Sequence, residues 1–184
     1  RGRATSLVEL LAETLRNEAL EALSTGDLER ACAAASRLLG EASPDRNTPL
    51  EVVARCVEAG ASKLVRPLAQ KAVDGEELIG LHVYCLPLWN RRAPEGAELQ
   101  TIMKRTERQL SALATLYPER AELLLYRAAA LEVLGEHAEA LRLYSEARSR
   151  AVLRELYPPG RHYLDLIRKP LHALQKRQGQ THAK

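Results

Sequence analysis

The stretch from Ala121 to Ala147, AELLLYRAAALEVLGEHAEALRLYSEA, constrains the fold more than any other part of this chain. Leu124, Ala128 and Leu131 recur at helical spacing before Gly135, and Ala140, Tyr144 and Ala147 recur at the same spacing after it. That periodicity predicts two short amphipathic helices hinged at the glycine, each with one apolar stripe. Alanine at positions 128 and 140 lets two helix axes approach closely, with Tyr144 filling the space beside them. Such a hairpin cannot bury its own stripe, so the rest of the chain has to supply its neighbours.

A second hairpin repeats the logic. Leu7, Leu11, Leu15, Ala19 and Ala22 mark a first helix that stops at Ser24-Thr25-Gly26, and Asp27 caps a helix running to about Leu39. In this alignment Gly26 stands for Gly135, Leu28 for His137, Ala31 for Ala140, Ala35 for Tyr144 and Leu38 for Ala147. After a breaker-rich loop at 40–47, Thr48-Pro49-Leu50-Glu51 predicts a capped third helix ending at Gly60, which lies 34 residues beyond Gly26. Its partner, from about Ser62 to Val73, carries Pro67 in its interior, which should kink or shorten it.

Between 76 and 117 the pattern loosens. Leu78, Ile79, His82 and Leu86 mark a helix stopped by Pro87, and a loop follows from Leu88 to Pro94. A long helix then runs from about Glu95 to Tyr117 on Leu99, Ile102, Met103, Leu110, Leu113 and Leu116. Beyond Tyr157-Pro158-Pro159-Gly160, Leu164, Ile167, Leu171 and Leu174 mark a last helix with one apolar face.

The ordered residues of the reference hairpin, an apolar residue, Ala128, an apolar residue, Gly135, His137, Ala140, Tyr144 and Ala147, resemble one tetratricopeptide repeat. Leu124 and Leu131 stand where that family has Trp and Tyr, and the separation of Gly26 and Gly60 equals the family's period. The resemblance implies an all-α, helical-hairpin solenoid over residues 1–156, a C-terminal capping helix over 157–178 and a flexible tail over 179–184. It also implies a noncatalytic interaction scaffold or adaptor that holds a peptide or an amphipathic helix in its concave groove. Tetratricopeptide domains that hold acidic chaperone C-termini use a basic residue followed four residues later by asparagine. Here the matching pairs are Arg16 with Leu20, Leu50 with Ala54, and Leu125 with Ala129, so the asparagines are missing and the chaperone function is not carried over. The expected groove is instead largely apolar, lined by Leu20, Leu23, Leu50, Val57, Leu125 and Ala129 and edged by Glu13, Arg16, Glu122 and Glu132. Another copy of the chain, giving a homo-oligomer, or the C-terminal helix folding back are the other occupants it admits.

Composition agrees with a helical chain. Phenylalanine is absent and the filler is Ala and Leu, strong helix formers that suit a sheet poorly. No run approaches the roughly 20 apolar residues that a bilayer span needs. No phosphate-binding glycine loop, HExxH or nucleophile elbow occurs, so neither an enzyme, a cofactor nor a metal site is expected. His82 and Cys85 sit one turn apart but lack a third ligand. Cys32, Cys56 and Cys85 lack metal-ligand spacing and are expected to be buried thiols of an intracellular, reducing compartment, cytoplasmic or nuclear in a eukaryote. The chain opens at Arg1 and has one methionine, Met103, which suggests a segment of something longer.

Two further surfaces compete with the groove. Trp89 with Arg91 and Arg92 forms a proline-bounded loop suited to a protein anchor or to base stacking. Basic residues gather at the C-terminal end, with Arg161, Arg168, Lys169, Lys176 and Arg177 placed to meet nucleic acid or another anionic surface. A third reading is an accessory repeat domain of a larger enzyme, such as a transferase.

Overall fold

Three glycines end three helices in the same way, and the architecture follows from that turn. The computed structural model of the chain describes residues 6–40, 45, 47–74 and 96–152, the side chains of the last two excepted. These residues form seven helices and no strand: α1 (Leu7–Thr25), α2 (Leu28–Gly40), α3 (Asn47–Glu58), α4 (Ser62–Asp74), α5 (Gly96–Leu116), α6 (Ala121–Val133) and α7 (His137–Val152). The chain divides into two compact units, Arg1–Leu78 and Ile79–Lys184.

At the end of α1, Gly26 takes φ 78°, and the amides of Gly26 and Asp27 donate to the carbonyls of Leu23 at 3.3 Å and Ala22 at 2.9 Å. This pair of bonds satisfies carbonyls that the helix end would leave open, and it needs a left-handed residue at its centre. The same two bonds recur at Gly60, from Gly60 to Val57 and from Ala61 to Cys56, and at Gly135, from Gly135 to Glu132 and from Glu136 to Leu131. A Cβ at Gly26 or Gly135 would meet nothing within 4 Å, so glycine is required there by the positive φ and not by crowding. The next residue starts the following helix each time, as Ala31 donates to Asp27, Val65 to Ala61 and Ala140 to Glu136. One turn therefore makes three hairpins, α1–α2, α3–α4 and α6–α7.

In the first unit each helix packs on its neighbour in sequence, α1 on α2, α2 on α3 and α3 on α4. The next-but-one helices also meet, α1 with α3 and α2 with α4. Small residues make this possible. Ala31, Ala34 and Ala35 of α2, Val52, Val53 and Ala54 of α3, and Val65, Ala69 and Ala72 of α4 are all buried. In the second unit α5 packs on α6 and α6 on α7. The stripes expected on the reference hairpin are interior: Ala128, Ala140 and Ala147 are wholly buried, and the Tyr144 hydroxyl donates to Glu132 across the hairpin at 3.1 Å.

Three local expectations need correction. Of the first apolar stripe only Leu15, Ala19 and Ala22 are buried, and Leu7 is 84% and Leu11 37% exposed. The reason is length. At about 1.5 Å per residue, the 19 residues of α1 outrun the 13 of α2 by about 9 Å, and Leu38 of α2 meets α1 near Ala12 and Leu15. The α3 cap is Asp45 and not Thr48, because the Asp45 carboxylate accepts from the amides of Asn47 and Thr48 and from the Thr48 hydroxyl. Glu51 pairs with Arg55. Pro67 does not shorten α4, which runs on to Asp74; the ring is exposed, so water can reach the carbonyl its missing N–H leaves free. The expected helix near 76–86, the Trp89 loop and the capping helix lie outside the described residues.

Candidate functional site

The expected groove residues fall into two groups, one in each unit, and burial treats them differently. In the first unit, Arg16, Leu20 and Leu23 follow at i, i+4 and i+7 on one flank of α1. Leu20 is 39% exposed, Arg16 is exposed and Leu23 is half-buried. On α3, Leu50 and Val57 are half-buried on either side of the wholly buried Ala54. Because α1 and α3 pack together, these two partly covered apolar stripes belong to neighbouring helices.

Asp45 fixes their relation. Its carboxylate caps α3 and also meets the Arg16 guanidinium at 3.7 Å, so one side chain holds the start of α3 against the middle of α1. Arg16 is thereby a positioning residue at the edge of the apolar strip. More than half of its side chain stays exposed, which keeps the pair weak as an ion pair and leaves the guanidinium within reach of solvent. Glu13, also exposed, lies one turn before it on the same flank.

In the second unit the expectation of an open surface fails. Leu125 is 1% exposed, Ala129 7% and Glu122 8%. Every residue of α6 from Ala121 to Leu131 is buried except Arg127, so α6 is enclosed round its whole circumference. Its sequence explains this, since AELLLYRAAALEV is apolar on all faces and not along one stripe, the pattern of a central helix. The polar side chains of α6 are met within the protein. Glu122 pairs with Arg120 and Glu132 accepts from Tyr144, while Arg127 donates to Glu107 of α5 at 2.7 Å. Leu125, Ala129 and Glu122 thus belong to the core of the second unit, and the half-buried Glu132 lies at its edge.

The structure also brings together two residues that the sequence separates. Cys32 of α2 and Cys56 of α3 are both buried free thiols with sulfurs 3.6 Å apart. A separation of 24 residues gives no motif, and the only available signal was that each sits on the apolar stripe of its helix. The thiol of Cys32 is pushed up, first by its hydrogen bond to Cys56 and then by burial, and that bond holds Cys56 below the usual thiol range.

Among the described residues no cluster of three or more His, Cys, Asp or Glu side chains could hold a metal ion, and no helix is long and apolar enough to cross a membrane. Trp89, Arg91 and Arg92, the pair His82 and Cys85, and the basic residues Arg161, Arg168, Lys169, Lys176 and Arg177 lie outside the described residues. No family model, no curated protein and no solved structure matches this chain.

Proposed function

We propose that the chain is a helical-repeat interaction module of tetratricopeptide-like design, and that it binds an amphipathic helix or an extended apolar segment of another protein on the α1–α3 side of its first unit. The observation that carries this reading is the strip of Leu20, Leu23, Leu50 and Val57, left partly open on two helices that touch. Contiguous apolar surface that folding leaves uncovered marks protein interaction sites and ligand-binding grooves. The identical hinges at Gly26, Gly60 and Gly135, with next-but-one packing in the first unit, support the repeat reading. An open side on a helix layer is what such stacking leaves available to a partner.

The strip recognises shape and apolarity, with polar selection at its edge from Arg16 and Glu13. A bound helix would present apolar residues at i, i+3 or i+4 and i+7 to the leucines and its polar face to water. Selection of displayed peptides on the immobilised chain tests this. Enrichment of sequences with that spacing supports the reading, whereas enrichment of uniformly acidic sequences without apolar anchors contradicts it.

A further inference from the structure

We propose that Cys32 and Cys56 form an oxidisable dithiol, which a hydroperoxide converts into a disulfide stapling α2 to α3. This goes beyond the docking reading and does not depend on it. The two sulfurs are already in contact at 3.6 Å, and closing to a disulfide bond length of about 2 Å needs an approach of about 1.6 Å. The residues stand on different helices that pack together, so the bond would join two hairpins and not two turns of one helix. The residues beside each cysteine along its helix are not bulky: Ala31 and Ala35 lie near Cys32 on α2, and Val52 and Val53 precede Cys56 on α3.

Access and nucleophilicity are divided between the partners. Cys56 is wholly buried, while Cys32 keeps 7% of its surface exposed and gives a hydroperoxide, little larger than water, a route to the pair. The hydrogen bond between the sulfurs favours one thiolate in the pair despite burial. That thiolate attacks one peroxide oxygen: an S–O bond forms, the O–O bond breaks, and hydroxide leaves and takes up the released proton as water. The second sulfur then attacks the sulfenic acid sulfur, the S–S bond forms, the S–O bond breaks, and the second thiol proton leaves with the hydroxyl group as another water. Two thiols and one hydrogen peroxide give one disulfide and two waters. The sulfurs lose the two electrons that the peroxide gains.

The full chain carrying Cys85→Ser, treated while folded with a few equivalents of hydrogen peroxide, should lose about 2 Da per chain and yield a linked peptide containing Cys32 and Cys56. Dithiothreitol should reverse both changes. The oxidised chain should melt about 5 °C or more above the reduced one, since the new bond closes a loop in the unfolded chain. Cys32→Ala and Cys56→Ala, each checked for retained helicity, should give no linked peptide. A second measurement is independent of oxidation kinetics. Phenylarsine oxide, which bridges paired thiols, should form a one-to-one adduct with the Cys85→Ser chain and none with either alanine variant. Oxidation without the linked peptide, a link that forms only after unfolding in urea, or failure of the arsenical to bind would each overturn the proposal.

Discussion

Replacing Leu125 with glutamate distinguishes a buried helix from a binding surface, and the structure sets the size of the effect. The two side chains are similar in volume, so the change acts through polarity. Removing the leucine, which is 1% exposed, forfeits about 1.5–3 kcal/mol of apolar burial. Full burial raises a carboxyl pKa by about 3–5 units, so the new group folds protonated, and neutralising it at pH 7 costs about 4 kcal/mol from an ordinary value near 4.3. The total is about 5–7 kcal/mol, comparable with the whole stability of a small domain. The pH dependence has a definite sign. The folded pKa is raised, so the folded state holds the extra proton, and the charge penalty grows as pH climbs from about 4 to about 8. Below about pH 4 both states are protonated and only the packing loss remains. Leu20→Glu is the control: its site is 39% exposed, and the change should stay within about 0.5 kcal/mol. Denaturant unfolding followed by circular dichroism at pH 4 and pH 7 measures both variants. If Leu125→Glu unfolds at the same denaturant concentration as Leu20→Glu at pH 7, α6 is not enclosed and the reasoning fails.

The remaining predictions concern the second unit. Gln109 is 2% exposed and its buried amide nitrogen meets no hydrogen-bond partner among the described residues, so Gln109→Met should raise stability by about 1 kcal/mol in the same unfolding assay. Arg142 donates twice to Glu139, at 2.7 and 2.8 Å, and holds the Glu139 carboxyl below its ordinary range. NMR titration of Arg142→Ala should therefore show the Glu139 midpoint moving up. Since a depressed carboxyl contributes stability above its unfolded pKa and loses it as pH falls through the folded one, that contribution should vanish in acid. It should be small throughout, because 40% of the Glu139 side chain is exposed.

Helices were legible in this sequence wherever a stop signal had one physical solution. Gly26, Gly60 and Gly135 each follow an apolar stripe, and the left-handed turn that ends a helix there is one that few other residues adopt. Caps were harder. Asp45 and Thr48 are both good capping residues within four positions, and Asp45 captures the amides while the Thr48 hydroxyl donates to it, a choice that the local sequence does not decide. The partial burial of Leu20, Leu23, Leu50 and Val57 was legible on α1 and α3 because each lies beside, and not on, the apolar stripe of its helix. Burial was misjudged on α6, where Leu125 and Ala129 were assigned to an open face on the pattern of a two-faced helix although LLLY and AAAL leave no polar side. The approach of Cys32 to Cys56 depends on how two helices meet and has no linear signature.

The central claim is that the α1–α3 strip of the first unit is where a partner docks. Its most direct test is the affinity of the tightest selected peptide for the unaltered chain and for Leu20→Glu, measured by isothermal titration calorimetry on proteins of matched thermal midpoint. Loss of a central apolar anchor costs more than about 1 kcal/mol, so the account predicts binding at least about fivefold weaker, with the midpoint unchanged. Equal affinity for the two proteins would contradict it.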